Sequence, residues 1–369
     1  MTLDRRMRQA AESVRRYADA EVDPVAMLWR QRRRQRRRSL QAAAVALALV
    51  VGLVAVAVLV VRAPRQPQVI APPPRPLGRV AATIALPQAP FPRVVGVAGG
   101  VVWVDGGNAT AYRIDSRINR VAGSLGLPAG SRLAAVARGS LWLADEAAGT
   151  VSQADPRTGQ ILRTVSVGLA AQLAQSPRDE QFRLAVDGDA VWVARFHTDV
   201  VRLDWAAGTV AGRFTDGTSS YDVIAAGSGV AVTHGDANDA HRLDPRTSTA
   251  TAIPLGGGPA EAAFGAGSFW VSAQNSTMAR IDPASGRVDA TIRLDADHLP
   301  GAVVVGDGAV WVFAGGGLLQ RVDPASNQVV HTLAVGPDDV HSGRLAVGAG
   351  SVWLSDADAR TLIRIDPQG

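Results

Sequence analysis

The chain has 369 residues, no cysteine, and 38 basic residues against 33 acidic ones, every basic residue being arginine. That length exceeds one ordinary domain and suits one large repeat fold with appendages. The missing cysteines exclude disulfides, thiolate metal sites and a cysteine nucleophile.

The net charge of +5 is local in origin. Residues 1–39 carry 12 Arg and 5 acids (+7), residues 62–79 carry 4 Arg and no acid (+4), and residues 80–369 are left with −6. The large C-terminal part is therefore mildly acidic, and no nucleic-acid partner is expected.

Residues 1–39 form an Arg-rich segment. Leu3, Met7, Ala11, Val14 and Tyr17 fall at helical spacing, and Asp23-Pro24 reads as an N-cap with proline opening a second helix. This predicts a cytoplasmic amphipathic helix, with residues 3–29 available to a cytoplasmic partner. Residues 40–61, LQAAAVALALVVGLVAVAVLVV, are uncharged and contain one polar residue, Gln41. At about 1.5 Å per residue this run crosses a bilayer as one transmembrane helix. The run RQRRRQRRR (30–38) precedes it, so the positive-inside rule predicts a cytoplasmic N-terminus and an extracellular C-terminal part, anchored in the cell membrane. Taken alone, the arginine run also fits a nucleic-acid patch; beside an apolar span it sets orientation and meets anionic lipid headgroups. A cleavable signal peptide is the competing reading, but the run is long for one and no A-x-A site follows it. Residues 62–78, with their prolines, predict an extended linker.

Residues 79–369 repeat. Tryptophans fall at 103, 142, 192, 270, 311 and 353, with Ala231 in the equivalent place of a seventh unit, at intervals of 39 to 50 residues. Each unit reads as an apolar strand, a glycine turn, a strand centred on Trp, a variable loop, a strand ending in Asp, a turn and a Val/Thr/Ile-rich strand. Four strands per unit of this length predict an all-β, seven-bladed β-propeller. Asp115, Asp155, Asp204, Asp244, Asp282, Asp323 and Asp366 each close a third strand. Such a residue bonds the amides that follow it, and a once-per-blade turn explains these aspartates better than calcium binding or catalysis does. Asn119, Gly159, Gly208, Gly286 and Asn327 stand where the turn requires a left-handed backbone; Ser248 is the misfit. The last unit lacks a fourth strand, and GRVAATIALP (78–87) aligns with GRVDATIRLD (286–295). Residues 79–86 should therefore pair with the strand ending at Asp366, closing the ring from both ends of the domain.

The unit GSLWLADEAAGTVSQADPRTGQILRTVSVG (139–168) and its six relatives resemble the YVTN-type bacterial propellers and the streptogramin B lyase-like superfamily, over residues 79–369. The resemblance implies a seven-bladed ring on which enzymes, binding proteins and sensors have all been built. The WD-repeat signature is absent. The layout of arginine-rich helix, single span and propeller resembles membrane proteins of actinobacteria thought to work with extracytoplasmic-function sigma factors.

Function should lie on the face that carries the variable loops, where residues 168–182 form the one long insertion. Nine or ten residues before the Trp position the blades present Arg93, Arg132, Arg183, Asp222, Glu261, Gly301 and Arg344. At a channel mouth the charged members of this set would hold a small anionic or zwitterionic ligand, or an acidic partner loop, although polar channel rims also serve solubility alone. No catalytic residue is assigned and no cofactor is implied. His197 and His234, the second close to Asp236, Asp239 and His241, are the candidates for a metal, but their spacing matches no metal motif and no metal site is assigned. The reading is a non-enzymatic, membrane-anchored ligand- or protein-binding sensor. A metal-dependent lyase or hydrolase is the alternative, and a passive envelope scaffold the third.

Overall fold

The computed structural model describes residues 78–168, 182–195, 199–214, 224–226, 229–233, 238–295, 301–314, 316–336 and 343–368. The expected cytoplasmic helix, transmembrane helix and nearly all of the linker, along with Asp222, His197 and His234, lie outside these residues. Among the described residues no helix is long and apolar enough to cross a membrane.

The described residues form seven four-stranded antiparallel sheets. The innermost strands are Arg93–Ala98, Ser131–Ala137, Arg183–Asp187, Ile224–Ala226, Pro259–Gly265, Val303–Gly306 and Gly343–Gly348, and they define blades 1 to 7. Each innermost strand contacts the next, and that of blade 7 contacts that of blade 1, so the ring is closed. The approach is tight: a Cβ on Gly306 would stand 2.6 Å from a Val347 methyl in the following blade.

Closure takes the predicted form. Arg79–Ala85 runs antiparallel to Thr361–Asp366, with Arg79 opposite Asp366 and Ala85 opposite Thr361. Ile84 packs with Leu362 and Trp353 of blade 7 and with Val94 and Val102 of blade 1, so the N-terminal strand lies across the seam.

Burial explains the patterning. Second strands are buried along most of their length, whereas outer strands alternate, as in Arg120–Gly126. A strand covered on both faces reads as an apolar run, and a half-covered one alternates. The six tryptophans are each at most 3% exposed. Each packs into the blade that follows: Trp103 against Leu133 and Leu141, Trp142 against Val191 and Val193, Trp192 against Val230 and Val232, and Trp311 against Val352 and Leu354. Blade 4 has Ala231 in that position, and blade 5 fills the space with Phe269, which packs against Ala231 and meets Phe264 at 5.3 Å. The lost volume is thus returned from the facing blade.

A second interaction accompanies the tryptophans. The residue opposite each Trp on the third strand is arginine in five of the six blades that carry one, and Ala231 faces Arg242 in blade 4; four of these guanidinium groups lie 5.2 to 5.9 Å from the ring of their own blade's Trp. From there the arginine reaches the turn of the next blade. Arg280 Nη1 donates to Pro324 O at 2.7 Å and Asn327 Oδ1 at 3.0 Å. Arg364 Nη1 donates to Ser116 O at 2.6 Å and Asn119 Oδ1 at 3.0 Å. Arg242 Nε donates to Pro283 O at 3.0 Å. Blade 2 carries Gln153 instead, and blade 3 compensates with Trp205 where five of the other turns have proline. The Trp205 indole donates to Gln153 Oε1 at 2.9 Å, and its ring meets Trp142 edge-on at 4.5 Å.

The other end of this arginine depends on one small residue. Arg280 Nε and Arg364 Nε donate to Ser268 Oγ and Ser351 Oγ, both at 2.9 Å. Blades 1, 3 and 6 have Val101, Ala190 and Ala309 at that position, and there the buried Nε atoms of Arg113, Arg202 and Arg321 have no hydrogen-bond partner.

All seven turn aspartates accept the expected backbone amides. Examples are Arg157 N to Asp155 Oδ1 at 2.7 Å and Ser285 N to Asp282 Oδ1 at 2.7 Å. Ser248 takes the same left-handed backbone as its Gly and Asn equivalents, φ 55°, and its amide bonds Asp244 O at 3.0 Å. The turn imposes its geometry on a residue that does not favour it. Hydrogen bonds from the Arg117 side chain and amide hold the Asp115 carboxyl below the ordinary value of 3.8. The amides of Arg157 and Arg246 do so for Asp155 and Asp244, and the hydroxyls of Ser285 and Ser326 do so first for Asp282 and Asp323.

Two outcomes are expected. Ala309→Ser, which places an acceptor beside Arg321 Nε, should raise stability by about 1 kcal/mol in a denaturant titration, and the same change in an Arg321→Gln background should give a smaller gain. A depressed carboxyl pKa contributes stability that is present above the unfolded value and lost as pH falls through the folded one. The melting temperature should therefore fall as the pH is lowered from about 4 towards 2, and the fall should be shallower when Asp155, Asp282 and Asp323 are changed to Asn.

Candidate functional site

Residues at or near the start of the innermost strands surround the propeller axis, because each blade begins there and runs outward. Arg93, Arg132, Arg183, Glu261 and Arg344 all line one cavity of about 190 Å³, with Phe182 and Leu133 among its apolar walls. The structure thus brings together every described charged residue of the predicted rim. Asp222 lies outside the described residues.

The four arginines are held differently. Arg344 Nη1 of blade 7 lies 2.5 Å from Glu261 Oε1 of blade 5. It reaches past blade 6, whose residue at this position is Gly301 and presents no side chain. Arg132 Nε lies 2.6 Å from Glu146 Oε1, and its Nη2 donates to Phe182 O. The same Glu146 oxygen accepts the Phe182 amide at 3.1 Å. Arg132 and Glu146 therefore grip both backbone groups of Phe182, and this sets Arg183 beside them at the axis.

Arg93 and Arg183 carry the electrostatic strain. Burial, followed by the nearby charges of Arg344 and Arg132, pushes the Arg93 pKa down to about 10. Burial and then Arg344 push that of Arg183 down to about 9, with Glu261 opposing. Both remain cations at neutral pH. Asp105 sits opposite Arg93 on the adjacent strand, is 3% exposed and accepts the Leu133 amide at 3.0 Å. Burial raises its pKa, against the opposing influence of that amide and of Arg132. Four guanidinium groups thus share the cavity region with the carboxylates of Asp105, Glu146 and Glu261. A like-charged cluster in a site of reduced dielectric favours an added anion.

Inspection of the inner strands alone does not find Glu146, Phe182 or Asp105. Asp105 and Glu146 come from the end of the second strand and the loop after it, and Phe182 ends the insertion. The available signal was positional, since Asp105 follows Trp103 by two residues and Glu146 follows Trp142 by four.

Among the described residues no histidine lines this cavity. His241 is buried on the third strand of blade 4, with Nε2 3.6 Å from Asp239 Oδ2. His197 and His234 lie outside the described residues. Among the described residues no group of three or more His, Cys, Asp or Glu is placed to hold a metal ion.

No protein-family model matches the chain. No curated protein matches it either. Among solved structures, it is similar to a crystal structure of the computationally designed Ika8 protein, with 13% identity, a TM-score of 0.55, and coverage of 76% of this chain and 98% of that one. At that identity the likeness shows the fold alone, and 1695 solved chains match, so the fold by itself selects no ligand.

Arg132→Gln should lower stability by about 1–3 kcal/mol, because it leaves Phe182 O and a poorly exposed Glu146 without their partner. Chemical denaturation of Arg132→Gln and of Arg132→Gln/Glu146→Gln, compared with wild type, checks this; the double variant should recover part of the loss.

Proposed function

We propose that the chain is a membrane-anchored binding module whose propeller stands outside the cell and takes a small anionic ligand at its axial arginine cavity. The observation that carries this reading is the convergence of Arg93, Arg132, Arg183 and Arg344 on one cavity in a domain whose overall charge is negative. Arg132 pairs with Glu146 and Arg344 with Glu261, while burial and neighbouring arginines lower the pKa of Arg93 and Arg183, so an added anion in the cavity would relieve the charge there. The cavity volume suits a ligand of the size of phosphate or a short carboxylate. Asp222 belongs to the same rim by sequence position. The apolar run 40–61, with the arginine run before it, supports an anchor with the N-terminus in the cytoplasm. Residues 3–29 would then meet a cytoplasmic partner and make the protein a sensor. The repeat pattern of residues 79–369 supports a place beside the YVTN-type and streptogramin B lyase-like propellers, and the layout supports one beside the sigma-factor-associated membrane proteins. No catalysis is proposed.

The test is calorimetry and thermal melting of the full chain in detergent, with inorganic phosphate and citrate against a chloride control of equal ionic strength. Stabilisation by phosphate or citrate that disappears in Arg93→Gln/Arg183→Gln is expected. Equal behaviour in phosphate, citrate and chloride would leave a passive scaffold as the better reading. A cytoplasm-restricted reporter fused after Gly369 should be silent, and an export-dependent one active.

A further inference from the structure

A second cavity, of about 360 Å³, lies between blades 3 and 4 at the face of the short hairpins. Its walls include Asp187 and Asp189 from the first hairpin of blade 3, Trp192, Arg202 and Asp204 of the same blade, and Pro245 from the turn of blade 4. Arg202 and Pro245 bring to its wall the arginine of one blade and the turn of the next, the two parts that meet directly at some other junctions. Between blades 5 and 6, and between blades 7 and 1, the arginine beneath the Trp ends on a turn carbonyl and an asparagine oxygen. Between blades 2 and 3, Trp205 fills the gap. Between blades 3 and 4 the position of that asparagine is Ser248. Arg202 stacks on Trp192 at 5.9 Å, and its Nε has no hydrogen-bond partner.

From this we infer that the seam between blades 3 and 4 is a binding site for a small basic amino acid or its close analogues. The ligand carboxylate would supply Arg202 with oxygen acceptors of the kind that Arg280 and Arg364 obtain from protein. Its ammonium groups would meet Asp187 and Asp189, with Asp204 adding to the negative potential. One guanidinium against three carboxylates gives the wall a net charge of −2, so a ligand with two ammonium groups and one carboxylate matches it better than a neutral zwitterion does. This is opposite in sign to the axial cavity. The two sites are built from different residues and select different ligands.

The experiment compares L-lysine with cadaverine, which lacks the carboxylate, by calorimetry on the full chain in detergent. Lysine is expected to bind at millimolar or lower concentration and cadaverine several-fold more weakly. Arg202→Gln should bring the two to the same affinity, and Asp187→Asn/Asp189→Asn should abolish both. Arg93→Gln/Arg183→Gln should leave lysine binding unchanged, which separates this site from the axial one. No heat with lysine at about 10 mM, far above the concentration at which such a site should fill, would overturn the inference. So would equal binding of lysine and cadaverine to the wild type, or lysine binding that survives the aspartate changes.

Discussion

The packing of one blade's tryptophan into the next, with an arginine laid over it, is the interaction on which the ring depends. A single four-stranded sheet has two faces to cover and cannot cover them alone. Trp103 covers the core of blade 2 and Trp353 that of blade 1, so no blade is complete without its neighbour. The arginine adds direction to this apolar contact. It lies over its own blade's Trp and ends on the turn of the next blade, which fixes the height and angle at which the two sheets meet. Where one member changes, a partner changes across the seam: Ala231 is answered by Phe269, and Gln153 by Trp205.

Seven such seams must close on themselves, and the N-terminal strand is the means. Arg79–Ala85 supplies the outer strand of blade 7, while Ile84 also contacts blade 1. The backbone pairing ties the two ends of the domain together, so opening the ring requires breaking a full strand ladder as well as one Trp seam. No sheet is left with three strands and a freshly exposed edge.

Much of this was legible in the sequence. The Trp spacing gave the blade count, the Asp turns gave the strand ends, and the likeness of 78–87 to 286–295 gave the closure. The arginine network was not legible, because its meaning lies between blades. Arg280 looks like an ordinary exposed-face residue of an Arg-Ile-Asp strand until Asn327, 47 positions away, is brought against it. Ser248 looked like a poor turn residue, yet its backbone obeys the turn, because Asp244 and the strand pairing on either side fix φ regardless of side chain. At the candidate site the rim position gave the arginines, but not that Glu146 and Phe182 occupy one of them. Glu146 lies in the variable connection after the Trp strand, so its position relative to Trp142 marked it but its pairing with Arg132 did not show.

The same logic locates chemistry in a repeat fold. Positions that every seam needs are filled alike, and they say little about ligands. Departures are informative where the facing blade does not answer them. Phe269 answers Ala231, so blade 4's missing tryptophan marks repacking and not a pocket. At the axis nothing forces a residue near the start of an innermost strand to be charged, yet Arg93, Arg132, Arg183 and Arg344 gather there against their mutual repulsion. Glu146 and Glu261 offset part of it by pairing with two of the arginines, while Arg93 and Arg183 keep pKa values pushed down by burial and by their neighbours. Between blades 3 and 4, Ser248 stands where Arg280 and Arg364 meet an asparagine oxygen of the next blade, and a cavity lined by Arg202 lies there.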